Sequence, residues 1–115
     1  DLPGVGDHEV CTQLGEGIGI KVMDKSVICT PTLVRYLEQL AESNSVKTQR
    51  EVLTAGGTDT SAMQYLVGIG SHVTSISCPV RYIHSTAETC SVSDVKAGIE
   101  LTSLCIEKIG SYSFK

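Results

Sequence analysis

Apolar side chains recur at every second position through Ile18, Ile20 and Val22, and this period of two predicts a β-strand over 18–23. Thr30-Pro31 then supplies an N-cap and a first-turn proline. Leu33, Val34, Leu37, Leu40 and Ala41 follow at helical spacing, which predicts an amphipathic helix over 31–43. Residues 46–53 read as a second, more polar strand, suited to an edge. Ala55-Gly56-Gly57 is a tight turn. Thr58 or Asp59 caps a short helix with Ala62, Met63, Leu66 and Val67 on one side, ended by Gly68 and Gly70.

A third strand is expected over 73–80, with Val73, Ile76 and Cys78 in the core, and a loop over 81–90. Ser91 with Asp94 is a capping-box variant that opens a last helix over 92–109. Its core face is expected to carry Val95, Ile99, Thr102, Cys105, Ile106 and Ile109. The first 16 residues are irregular, with a short strand near Val10.

Strand and helix alternate three times, which predicts an α/β fold: three layers, a mostly parallel sheet, and helices on both faces. Ligands of such sheets sit beyond the carboxyl ends of the strands. Two segments occupy that position, 55–59 after the second strand and 81–85 after the third.

Composition narrows the class. The chain has 115 residues, 41% of them hydrophobic and 19% charged, with a net charge of −4. These proportions suit one globular domain or a piece of one. No basic cluster suggests nucleic acid, and no apolar run is long enough to span a membrane. The chain starts at Asp1 rather than Met, so its true start is expected upstream. Five cysteines, none in a CxxC pair, are expected to be reduced, mostly buried thiols in a cytoplasmic protein.

Two loops carry candidate chemistry. Gly56 and Gly57 allow close backbone approach ahead of a helix start, where free amides favour an anion; an ordinary turn is the simpler reading. Asp59 is either a helix cap or a cleft residue. His84, beside Arg81 and Tyr82, is a candidate metal ligand or acid/base. A lone histidine cannot hold a metal, because three or four ligands are needed. His8 and His72 lie away from both loops.

The run Glu51-Val-Leu-Thr-Ala-Gly-Gly-Thr-Asp59 resembles the GGGTD segment of the glutamyl and tetrahedral (TET) aminopeptidases, with Ala55 in place of the first Gly. The segment from Ile76 to Ser85, with Arg-Tyr-Ile-His-Ser at its end, resembles that family's second signature. Leu14-Gly15 and Gly17 to Asp24 resemble its LGxGxxIKxMD stretch, and Asp1 to Gly4 the stretch after a metal-binding aspartate. These are dinuclear metallopeptidases, some labelled cellulase M or endoglucanase.

The resemblance implies a zinc-peptidase-like catalytic domain of which residues 1–115 are the C-terminal portion. The N-terminal half and the dimerisation domain would lie elsewhere. It implies His84 as a terminal metal ligand, and Gly56 and Gly57 as cleft backbone. Asp59, Arg81 and Tyr82 would be substrate-side positions. The remaining ligands and the general base would come from outside this chain, so no catalytic residue is expected in it. The expected protein is a homo-oligomeric aminopeptidase that acts on peptides with two divalent ions, zinc or cobalt. The isolated chain would be inactive and bind metal weakly at most. The alternative is a non-catalytic assembly or peptide-binding module on the same fold. A literal glycosidase would need two carboxylates across a cleft, and neither loop supplies them.

Overall fold

The computed structural model describes residues 4–66 and 68–113. Val67, expected on the short helix, and Asp1 to Pro3 of the N-terminal resemblance lie outside the described residues. The elements in chain order are β1 (Ile18–Met23), α1 (Pro31–Ser43), β2 (Thr48–Val52), α2 (Thr60–Leu66), β3 (Ile76–Ser77), β4 (Val80–Arg81), β5 (Thr89–Cys90) and α3 (Val92–Lys108). No strand forms near Val10; a single 3-10 turn, Asp7–Glu9, stands in the lead-in instead.

The main sheet has the order β2-β1-β3. β1 and β2 run parallel, from Ile18↔Thr48 to Met23↔Val52, with an irregularity between Lys21 and Met23. β3 runs antiparallel to β1 through Gly19↔Ser77 and Ile20↔Ile76. The α/β class holds, but the sheet is mixed at its third strand.

The expected third strand is also broken. Pro79 has no amide to donate to a ladder, and the chain leaves the sheet there. It re-pairs as a separate hairpin, β4 with β5, so the expected 81–90 loop is the upper part of a hairpin.

Strand alternation sends Ile18 and Ile20 to one face of β1 and Lys21 to the other. The first face meets Val34, Leu37, Leu40 and Ala41 of α1 and Leu101 of α3, all buried. Each Val or Leu among them is worth roughly 1.5–3 kcal/mol relative to exposure. α1 and α3 touch each other and both rest on β1, so the long helices share one face. The opposite face holds a buried ion pair, Lys21 Nζ to Glu51 Oε1 at 2.6 Å. There the lead-in residues Val5, Val10 and Cys11 close over Glu51 and Ser77 around a cavity.

The first turn of α1 and that of α3 both differ from expectation in the same way. Thr30 stands at the N-cap, but its Oγ1 accepts the distant Val73 amide at 3.0 Å rather than a helix amide. Asp94 closes no capping box with Ser91. Its buried carboxylate accepts the amides of Gly15 at 2.7 Å and Gly17 at 3.0 Å, tying α3 to the start of β1. Gly17 has φ +101°, and a Cβ there would come within 2.3 Å of the Lys47 carbonyl oxygen, so this junction accepts only glycine.

That tie fixes which side of α3 faces inward. Asp94 and Leu101 are buried, and Ala97, Leu104 and Cys105 pack against the core. Cys105 was on the expected core face, but Ile99 and Ile106 from that face are 64% and 72% exposed. α3 is apolar on more than one side, and spacing alone cannot choose between sides. On α2, likewise, the expected apolar side stays in solvent: Met63 and Leu66 are 62% and 81% exposed.

The thiols are less hidden than expected. Only Cys29 is buried; Cys11 and Cys105 are half-buried, and Cys78 and Cys90 are exposed.

Candidate metal and substrate site

The glycine loop is held from below by the turn that ends β1. Asp24 is buried, and its Oδ1 accepts the Ser26 amide at 2.8 Å, the Ser26 hydroxyl at 2.7 Å and the Val27 amide at 3.1 Å. Its Oδ2 accepts the Thr58 hydroxyl at 2.8 Å. The Lys25 amide donates to the Gly56 carbonyl at 3.1 Å. Gly57 lies so close to this turn that a Cβ would meet Ser26 Oγ at 2.7 Å. Burial alone would raise the Asp24 carboxyl, but hydrogen bonds from Ser26 and Thr58, with the nearby Lys21 charge, outweigh it and hold the pKa at about 2.

Gly56 and Gly57 are exposed, and Gly56 takes the left-handed φ of +83°. Asp59 directly precedes α2 and is exposed, and its carbonyl accepts the Met63 amide at 3.1 Å. It therefore stands at the helix start, as a cap would, with its side chain open to solvent.

The second candidate segment is the tip of the β4–β5 hairpin. Tyr82 and His84 both have left-handed backbones, φ +60° and +62°. Non-glycine residues rarely adopt this region, and such strain gathers at functional sites. The Ser85 amide donates to the Tyr82 carbonyl at 3.1 Å, and the His84 amide donates to Glu88 Oε1 at 2.6 Å. These bonds hold the strained tip. His84 and Tyr82 are exposed, and Arg81 is half-buried at the end of β4. The imidazole is thus not spent in core packing.

A cavity of about 230 Å³ is lined by Leu53, leading into the glycine loop, and by Ile83, adjacent to His84. Glu51 also lines it, and its Oε2 has no hydrogen-bond partner. Among the described residues no group of three or more His, Cys, Asp or Glu side chains could hold a metal ion. His84 can offer one nitrogen ligand, and the described residues do not assemble the donor set of a tight zinc or cobalt site.

A family model for the M42 glutamyl aminopeptidases matches residues 1–101. The chain belongs to this family. A curated relative from Acetivibrio thermocellus, named as an aminopeptidase, is 42% identical over 105 residues, covering 88% of this chain and 32% of that protein. An aminopeptidase structure from the archaeon Desulfurococcus kamchatkensis superposes with a TM-score of 0.89 at 32% identity, over 100% of this chain and 34% of that one. The Pyrococcus horikoshii TET1 peptidase, described as assembling into a tetrahedron or a large octahedral shell, gives a TM-score of 0.74 at 33% identity, over 90% and 29%. This M42 chain therefore spans about a third of the length of these relatives.

Sequence reasoning missed the Asp24 turn that supports the M42 glycine loop. The signal was present as Asp24-Lys25-Ser26, an Asx-turn composition at a strand end. No signal pointed to Glu51 as a buried partner of Lys21, because an alternating polar strand reads as an edge.

Proposed function

We propose that this chain is the C-terminal portion of the catalytic domain of a metal-dependent aminopeptidase that removes N-terminal residues from peptides. The supporting observation is the M42 match over residues 1–101 together with an exposed, strained His84 at the hairpin tip. In this reading His84 is one terminal ligand of a two-metal centre of zinc or cobalt. The other ligands and the general base come from polypeptide outside these residues. Gly56 and Gly57 line the cleft with backbone, and Asp59, Arg81 and Tyr82 contact or orient the substrate. The complete enzyme is read as cytoplasmic and as a homo-oligomer, the latter supported by the shells of the TET1 peptidase. No helix among the described residues is long and apolar enough to cross a membrane.

His84 would hold one of the divalent ions, which when bound would supply Lewis-acid polarisation of a peptide carbonyl and activation of a water. This chain's own part is to hold the glycine loop rigid through Asp24 and to present an imidazole.

Fragment complementation tests the reading. The chain is co-expressed with the remaining two thirds of the Desulfurococcus kamchatkensis aminopeptidase. Metal-dependent release of an amino-acid amide is expected from the reconstituted pair, and loss of it with His84→Ala. A pair that co-purifies yet stays inert with the unaltered chain would overturn the proposal. So would robust hydrolysis by the 115-residue chain alone.

A further inference from the structure

Cys78 and Cys90 are separated by a whole hairpin in sequence and adjoin in space. Cys90 is paired with Val80 in the β4–β5 ladder, and Cys78 lies two residues before Val80, at the position diagonal to Cys90. The Cys78 thiol lies 3.7 Å from the Pro79 carbonyl oxygen, and Cys90 is near enough to be among the groups that raise it. Both cysteines are exposed, and Cys78 lines two separate surface cavities, so small reagents can reach the pair. Cys78 also stands outside the paired stretch, where no β4–β5 ladder bond holds its backbone.

We propose that Cys78 and Cys90 form a dithiol modification site, oxidised to an intramolecular disulfide by low-molecular-weight disulfides of the glutathione type. The Cys90 thiolate attacks one sulfur of the small disulfide, forming a mixed disulfide and releasing one thiol. Cys78 then gives up its proton to solvent and attacks the Cys90 sulfur, releasing the second thiol. In sum, two cysteine thiols and one small disulfide become one protein disulfide and two small thiols. Partial desolvation, with Cys90 and Asp94 nearby, raises the Cys78 thiol. The bond closes the base of the hairpin that carries Tyr82 and His84 at its tip. The site stands on this chain's own geometry and is independent of the metal reading.

The purified chain incubated with oxidised glutathione tests this directly. Trypsin cuts at Arg50, Arg81 and Lys96, so Cys78 falls in peptide 51–81 and Cys90 in peptide 82–96. A disulfide therefore appears as these two peptides joined, with the mass of two hydrogens lost, and dithiothreitol reverses it. This product should dominate over any pairing with Cys11, Cys29 or Cys105. Hydrogen exchange across residues 82–88 should slow on oxidation. Cys78→Ser should instead accumulate a stable glutathione adduct at Cys90. The proposal is overturned if the two cysteines carry separate glutathione adducts in the unaltered chain, if Cys11 or Cys105 react while they stay reduced, or if the bridge joins two chains.

Discussion

The Thr58 hydroxyl donates to Asp24 Oδ2 at 2.8 Å, so a residue of the glycine loop is fastened to a buried carboxylate at the end of β1. Removing that carboxylate with Asp24→Ala leaves the Ser26 and Val27 amides and the Thr58 hydroxyl without their acceptor. The expected loss of stability is about 2–4 kcal/mol, and amide exchange at residues 56–60 should speed up. The pH dependence has a definite sign. The carboxyl lies at about 2 in the fold against an ordinary 3.8. Its contribution is therefore complete above that ordinary value and disappears as pH falls towards the folded one. Denaturant titrations across this acid range should show the decline in the unaltered chain and a weaker decline in Asp24→Ala.

Lys21 is 1% exposed and serves two carboxylates, Glu51 at 2.6 Å and Asp24 at 3.9 Å. Lys21→Met leaves both acids without a cation, and a loss of about 3–5 kcal/mol is expected. Changing Glu51 to Leu as well should recover part of it, since the double change removes one of the stranded charges. Thermal melts of the two variants decide the order. A double variant less stable than Lys21→Met would contradict it.

Gly57→Ala drives a methyl group into the Ser26 side chain. The expected cost is about 1–3 kcal/mol. Ser26→Gly in the same chain should relieve the contact, giving a double-mutant coupling energy of at least about 0.5 kcal/mol. Additive melting shifts would show that the turn and the loop do not press on one another.

His84 sits exposed at φ +62°. Glycine takes that conformation freely, so His84→Gly should stabilise the chain by about 1 kcal/mol. The same change should abolish activity in the complemented enzyme. That pair of outcomes would support a chemical rather than a structural role for His84. A destabilised glycine variant would instead mark the imidazole as structural.

Much of the architecture is legible in the sequence. The strand at 18–23 and the helix at 31–43 follow from clean periods of two and 3.6, bounded by Gly17 and Thr30-Pro31. The failures share a physical cause. Thr30 and Asp94 have cap-forming chemistry, yet their oxygens go to Val73 and to Gly15 and Gly17, far along the chain. A local motif names a residue's capability, and the tertiary fold decides its partner. The inward side of α3 differs from the one its spacing predicts for the same reason, since the buried Asp94 carboxylate ties it to Gly15 and Gly17. Of the candidate site, both loops were visible as Gly56-Gly57 and as the Arg81-Tyr82-Ile83-His84 run. Their supports were less so: the Asp24 turn was signalled locally by Asp24-Lys25-Ser26, but its reach to Thr58 and the Glu51 pairing with Lys21 join positions distant in sequence.

The outward ridge of α3 carries Val92, Val95, Ile99 and Ile106 at turn-by-turn spacing, and α2 shows Tyr65 and Leu66 beside Ile69. Water gains nothing by wetting such surfaces. Purified alone, these 115 residues should bind hydrophobic dyes and clump as concentration rises, like half of a clasp whose oily inner side has been left open. Charged replacements along that ridge, such as Ile99→Lys, would keep the lone chain dispersed without touching either loop.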